Sequence, residues 1–375
     1  MKRFYQVSTP WLGKVEKKYV NIALKNNEIS GFFGRYIPEF EKKFSKFCKS
    51  KYAVTVSSGT TALHLALVSL GIKKGDEVIV STLTNMASIF AILYIGAKPI
   101  PIDIGDDTFN LDVNLIEKKI TKKTKAIIAT HIYNFPLRVD LLKKICKKKN
   151  IIIIEDAAEA LGQKLNNKLC GSFGDISIFS FYANKQITTG EGGMITTNNK
   201  KIYEYCNSLR NLCFGKIDRF NHDGIGWNYR MTNIQASLGV SQLKRINTIV
   251  KKRHLVGRKY FNKLKNNKNI YIPETSRSYA KNIYWVIAIL IVNKDLKINA
   301  KDLGKKLIEF GIQTRPFFWP MHKQRVLKKK INISANDNYK NSEYISNYGL
   351  YLPSSLDIKD EEIEFICDKV NFILQ

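Results

Sequence analysis

The sequence predicts an α/β protein: a mostly parallel central sheet with helices on both faces, then a smaller α+β region. Three observations predict it. From about residue 52 to 200, short apolar runs alternate with helical patterns. The runs are apolar throughout rather than at every second residue, as in strands covered on both sides. Beyond residue 246 that alternation stops, and strands, helices and polar loops mix.

The elements follow in order. A strand over 52–57 (YAVTVS) leads into a helix over 60–70, and a strand over 77–80 into a helix over 86–95. A strand over 99–103 precedes a helix over 111–120, and one over 126–131 precedes a helix over 136–149. Strands over 151–155 and 176–181 complete the alternating part. One or two long helices span 232–265, and a loop at 273–278 (PETSRS) interrupts the pattern. After it come a strand over 284–292, a helix over 300–310, a strand over 313–318 and a polar loop over 332–347. The last helix, 361–374, carries Ile363, Ile366, Val370 and Ile373 on one face. We divide the chain into a large domain, 1–245, and a small one, 246–375.

The chain has 375 residues, 44% hydrophobic and 11% aromatic, so a large core forms and disorder is excluded as the main state. The most apolar runs fall well short of the ~20 residues that a membrane span needs. No apolar signal region follows the basic start before Lys14, so a cytoplasmic chain is expected. Six cysteines lie scattered without a CxxC pair, which gives neither a disulfide frame nor a metal site. Sixty-one Lys and Arg against 32 Asp and Glu give a net charge of +29. The excess is mostly lysine in short clusters (118–125, 143–149, 251–253, 328–330), and no nucleic-acid-binding motif accompanies it. We read these clusters as solvated faces, and expect neither a nucleic acid nor a membrane as partner. Their positive field also attracts an anionic small-molecule substrate.

In an open parallel sheet, ligands bind at the carboxyl ends of the strands. Three motifs sit there. Ser57-Ser58-Gly59-Thr60-Thr61 joins a strand to a helix; its free backbone N–H groups suit a phosphate, and its Ser and Thr also suit a plain helix cap. Glu155, Asp156 and Glu159 close an apolar strand. Such carboxylates either cap the next turn or pair with a cationic ligand group, for instance a protonated pyridine. Lys185 follows an apolar strand and precedes Gly190, Gly192 and Gly193. A loop lysine is usually solvated, but one among apolar groups becomes a nucleophilic amine. A phosphate cradle, an acid for a ring nitrogen and a lysine for an aldehyde are together the demands of pyridoxal phosphate.

These motifs resemble the DegT/DnrJ/StrS family of sugar aminotransferases, within the fold type I pyridoxal-phosphate enzymes. The resemblance covers nearly the whole chain. It is carried by SSGTTALHLAL (57–67), GDEVIV (75–80), EDAAEALG (155–162), GDISIFSFYANKQITTGEGGM (174–194) and GWNYRMTNIQASLG (226–239). It implies that Lys185 is the catalytic lysine that binds the cofactor covalently. It further implies that Asp156 pairs with the pyridine nitrogen, that Glu159 stands near the 3-hydroxyl, and that Ser58, Gly59, Thr60 and Ser180 hold the phosphate. Asn228 matches a residue that reaches the phosphate from the other subunit, which implies a homodimer with shared sites. Arg230, Arg315 and His322 are the implied substrate-binding residues; Arg315 equally suits a structural ion pair and His322 a loop. No metal is implied.

FSFYANKQITTGEGG (179–193) and TRPFFWPMH (314–322) are similar to the branch that acts on GDP-4-keto-6-deoxymannose. The implied reaction moves an amino group from L-glutamate, leaving 2-oxoglutarate, to C4 of that sugar nucleotide. A dTDP- or UDP-linked sugar is the alternative substrate. A dehydratase of the same fold is a further alternative, disfavoured because Lys185 is kept; a non-catalytic regulator is another. Two departures stand out. Asn85 occupies a place where similar proteins stack an aromatic ring on the cofactor, leaving Met86 or another group to cover it. Residues 131–136 (HIYNFP) lack a glycine often found there.

Overall fold

A computed structural model describes residues 3–105, 108–328, 331 and 338–375. Seven strands form the central sheet: β1 (Tyr52–Val56), β2 (Glu77–Ser81), β3 (Lys98–Ile102), β4 (Thr124–Thr130), β5 (Ile152–Asp156), β6 (Ile176–Ser180) and β7 (Gly193–Thr197). Their order is β1-β7-β6-β5-β4-β2-β3. All pairings from β3 across to β6 are parallel; β7 runs against both β6 and β1.

Strand periodicity sends successive side chains to opposite faces. Ile127, Ala129 and Ile153 enter one core cluster, Ala126, Ile128 and Ile154 the other. The first is covered by α1 (Lys14–Lys25), α2 (Tyr36–Cys48), the helix Val139–Lys149 and the helix Asn233–Lys244. The second is covered by the helices Gly59–Ser69, Met86–Tyr94 and Lys200–Leu209. In chain order these are α3 (Gly59–Ser69), α4 (Met86–Tyr94), α5 (Val139–Lys149), α6 (Lys200–Leu209) and α7 (Asn233–Lys244), and α8 (Ile246–Leu264) follows. The expected fold class is therefore borne out.

A second sheet of four strands, β8 (Ile270–Tyr271), β9 (Ile287–Ile291), β10 (Arg315–Pro316) and β11 (Gly349–Leu352), runs in the order β8-β9-β11-β10. With α8, α9 (Ala300–Glu309) and α11 (Asp360–Ile373) it encloses its own apolar cluster. The N-terminal segment joins it, since Tyr5 exchanges backbone hydrogen bonds with Gly311 and Gln313 (2.8 and 3.0 Å).

Several expectations need correction. Residues 111–120 form two short 3-10 turns, Val113–Leu115 and Glu117–Lys119, not a helix. Only Leu111 and Ile116 are buried there, too short an apolar stripe to hold one. Of the polar loop expected over 332–347, the later part is α10 (Lys340–Tyr348); its first amides at Asn341 and Ser342 donate to the Asp103 carboxylate (3.1 and 3.0 Å). A carboxylate there stabilises a helix start. Residues 332–337, and 329–330 of one lysine cluster, lie outside the described residues. Among the described residues no helix is long and apolar enough to cross a membrane.

Candidate active site

The end of β1 turns into α3 at Ser58, whose hydroxyl accepts the Thr61 N–H (3.1 Å) as a helix cap. The amides of Gly59 and Thr60, first in the helix, have no acceptor within it and point outward at its positive end. Ser180, the last residue of β6, lies against them: a Cβ on Gly59 would stand 3.0 Å from that of Ser180. Glycine thus keeps the cradle open.

Asp156 ends β5, buried at 5% exposure. Its carboxylate accepts the Ala158 amide (3.1 Å) and the Ser88 hydroxyl (3.3 Å). Burial nevertheless raises its pKa against these donors and against the nearby positive charge of Lys185. Glu159, one turn on, accepts the Tyr133 N–H at Oε2 (2.9 Å). Burial pushes its pKa up to about 7, although Lys185 pulls the other way.

Lys185 lies in a turn after β6, where its amide donates to the Tyr182 carbonyl (2.9 Å). Its amine stands 3.6 Å from Glu159 Oε1, and the side chain is only 12% exposed. Burial lowers its pKa; Glu159 and Asp156 offset part of that. Burial thus disfavours the charged form of both partners.

Ser58, Gly59, Thr60, Asp156, Glu159, Ser180, Lys185 and Arg315 all line one cavity of about 420 Å³. Arg315 reaches it from β10, so both sheets contribute. The other three expected residues do not line it. Asn228 is exposed, bridged through its backbone to Asn211. Arg230 donates to Asn211 Oδ1 (2.6 Å). His322, in the 3-10 turn Met321–Lys323, is bonded through Nε2 to Glu343 Oε1 (2.8 Å) and packs on Tyr339; within one chain it is not part of the cavity wall. Asn85 lines the cavity but caps α4 by accepting the Ala87 amide (2.9 Å), while Met86 packs into the core instead. A larger cavity, about 860 Å³, opens beside α8, but none of the expected residues lines it.

Sequence reasoning missed the aromatic wall. Trp285, Phe318 and Tyr351 line the cavity, and Tyr133 braces it from behind, its hydroxyl accepting the Phe318 amide (2.8 Å). Tyr133 adopts φ 57°, the left-handed region in which glycine is usual, at the segment that lacks one. Only that missing glycine hinted at it; the other aromatics read as ordinary core.

Glu155 serves the scaffold. It accepts five bonds: from His131 Nε2 (3.0 Å), the amides of Gly171, Phe173 and Gly174 (2.6, 2.7 and 2.9 Å) and the Ser177 hydroxyl (3.1 Å). His131 Nδ1 accepts the Leu137 N–H (3.0 Å), so the ring proton sits on Nε2. Cys170 is near, but neither histidine nitrogen keeps a free lone pair for a metal.

The family model described as DegT/DnrJ/EryC1/StrS aminotransferase family matches residues 10–371. The chain belongs to that family. This DegT-family chain is 39% identical to the GDP-perosamine synthase of Escherichia coli O157:H7, over 98% of each chain. Among solved structures, it is similar to Helicobacter pylori PseC, an aminotransferase of pseudoaminic acid biosynthesis, with TM-score 0.93, 27% identity and 99% of each chain covered. It is also similar to a GDP-4-keto-6-deoxymannose-3-dehydratase variant with bound GDP-perosamine: TM-score 0.90, 26% identity, 98% of this chain and 100% of that one. The family expected from the DegT-type motifs is thus confirmed.

Proposed function

We propose that this chain is a pyridoxal-phosphate-dependent aminotransferase. It moves an amino group from L-glutamate to C4 of a nucleotide-linked 4-keto-6-deoxy sugar, GDP-4-keto-6-deoxymannose, giving GDP-perosamine. The observation that carries the reading is the buried amine of Lys185, 3.6 Å from Glu159 in the cavity that Asp156 and the α3 amides also line. The likeness to the GDP-perosamine synthase supports the choice of nucleotide and position.

Ser58, Gly59, Thr60 and Ser180 would hold the phosphate of the cofactor, Asp156 its ring nitrogen and Lys185 its aldehyde, with Glu159 near the 3-hydroxyl. When bound, the cofactor supplies an aldehyde and a ring that accepts electrons. Asp156, ionised beside a cation, keeps that ring charged. Lys185 Nζ would serve as the general base that takes the α-proton of the amino donor and as the general acid that returns a proton in the second half-reaction. Two half-reactions in one site give ping-pong kinetics. Arg315 meets an anionic group of the substrate from the cavity wall; the substrate role of Arg230, which pairs with Asn211 off that wall, rests on its motif alone.

The working unit is a homodimer in which Asn228 completes the partner's phosphate site. Its exposure in the single chain suits that role, as do the exposed apolar residues Phe33, Ile217, Phe220 and Ile225. Exposed apolar side chains of this size gain from burial against a partner.

The deciding experiment supplies L-glutamate and a panel of GDP-, dTDP- and UDP-linked 4-keto-6-deoxy sugars, and identifies the product by mass and NMR. GDP-perosamine is expected. A deoxygenated product without nitrogen would make the chain a dehydratase.

A further inference from the structure

Trp285 lies just before β9, yet its ring reaches across to the loop after β6. It is 3% exposed. Its indole N–H donates to the carbonyl of Asn184 (3.0 Å), the residue that precedes the lysine. Its ring centroid stands 3.9 Å from Lys185 Nζ. One side chain therefore holds the backbone that carries the amine and covers the amine itself.

The ring is fixed in turn. Its plane lies within 4° of that of Tyr133, with centroids 6.2 Å apart. Tyr133 also holds Glu159, the carboxylate that faces Lys185, through its N–H. The carbonyl of Trp285 accepts the buried guanidinium of Arg253 (3.3 Å). Asn282 Oδ1 accepts the Tyr284 amide (2.8 Å), which fixes the chain entering the tryptophan.

We propose that Trp285 is a positioning residue for Lys185, acting through the Asn184 hydrogen bond and through the ring face over Nζ. This rests on the proposed role of Lys185. The two contacts act differently. The hydrogen bond limits where Nζ can go. The ring face attracts an ammonium ion, but it also displaces the water that would solvate one. In this cavity burial is the leading influence on the amine, so exclusion of water dominates. The other charged or titratable groups that line the cavity are Asp156, Glu159, Glu191, Arg315, Tyr182 and Tyr351, and substitution at position 285 alters none of them.

The test follows covalent capture of pyridoxal phosphate by the full-length chain freed of cofactor. Capture joins the amine nitrogen to the aldehyde carbon and releases one water, and only the unprotonated amine attacks. Its rate, read as growth of the long-wavelength absorbance from about pH 6 to 10, reports the proton affinity of Nζ. In Trp285→Ala the midpoint moves up by about one pH unit, a roughly tenfold smaller reactive fraction at neutral pH. In Trp285→Phe the ring cover remains and the midpoint stays, but capture slows about fivefold for want of the Asn184 bond.

An unchanged midpoint in a Trp285→Ala protein that melts like the parent overturns the water-excluding role. If that variant does not fold, Trp285→Phe decides: capture at the parental rate overturns the positioning role. Failure of the unaltered chain to capture the cofactor at all takes down the function of Lys185 itself, a distinct outcome.

Discussion

Glu159 Oε1 and Lys185 Nζ face each other at 3.6 Å on the cavity floor, each held towards its neutral form by burial. This pair makes the stability of the cofactor-free protein depend on pH. The Glu159 value, about 7, lies above the ordinary 4.5, so the folded chain binds this proton more tightly than the unfolded one. Its contribution is complete below about 4.5 and is lost as pH rises through about 7. Glu159→Gln still offers an acceptor to Tyr133 but no longer titrates. The expected outcome is a smaller fall in melting temperature between pH 5 and 8, about 1–3 °C less than in the parent. Parallel melting curves across that range would show that Glu159 is ionised throughout.

Lys185→Ala removes the group proposed to capture the cofactor and to move the proton. The long-wavelength absorbance of the captured cofactor should vanish, and turnover should fall by roughly 10²–10⁴-fold or more. Absorbance spectra and product formation check this together. A parental spectrum with parental turnover is incompatible with the assignment.

Glu155 is a buried carboxylate with five donors, so the consequence of changing it is structural. Burial alone would raise its pKa, but His131 and the amides around it outweigh that and hold it below the usual carboxylate range. Glu155→Gln points an amide N–H₂ at one set of those donors. The expected cost is about 3 kcal/mol in denaturant unfolding. Adding zinc should neither bind nor restore stability, because His131 donates from Nε2. Tight zinc binding by the unaltered protein would contradict the proton placement.

The three strand-end motifs were legible because each is contiguous and because ligands gather where parallel strands end. Asp156 and Lys185 stand where that rule places them, at and just beyond β5 and β6. Other features leave no local trace. β7 reverses direction between β6 and β1, yet GMITT reads like any short apolar run. Trp285 is exactly one hundred residues from the lysine it covers, and no periodicity links the two. The helix expected over 111–120 failed because pattern alone does not reveal how few side chains find a core. His322 was read from a motif, whereas its place was set by Glu343, which sits on a helix that the polar sequence concealed.

Asn228 tests the shared site. If it reaches the partner's phosphate, Asn228→Ala loses a hydrogen bond to a charged group. Cofactor affinity should then weaken about tenfold or more, while sedimentation stays that of the parent. Equilibrium dialysis of the cofactor measures the first quantity. Parental affinity would leave Asn228 without a role across the subunits.

Arg315 and His322 separate two kinds of proximity. Arg315 is exposed and lines the cavity, where a guanidinium is proposed to meet a phosphate or carboxylate of the substrate. His322 spends Nε2 on Glu343 and lies off the cavity wall. Arg315→Ala should therefore raise KM for the sugar nucleotide or for glutamate about tenfold, a charge-assisted hydrogen bond lost. His322→Ala should leave both KM values within about twofold, since its side chain, though only 7% exposed, lies off the cavity wall and pairs with Glu343. Steady-state kinetics with each substrate varied in turn distinguishes the two. A large rise in KM for His322→Ala would mean that the turn carrying it folds over the cavity in the proposed dimer, placing its ring against the substrate after all.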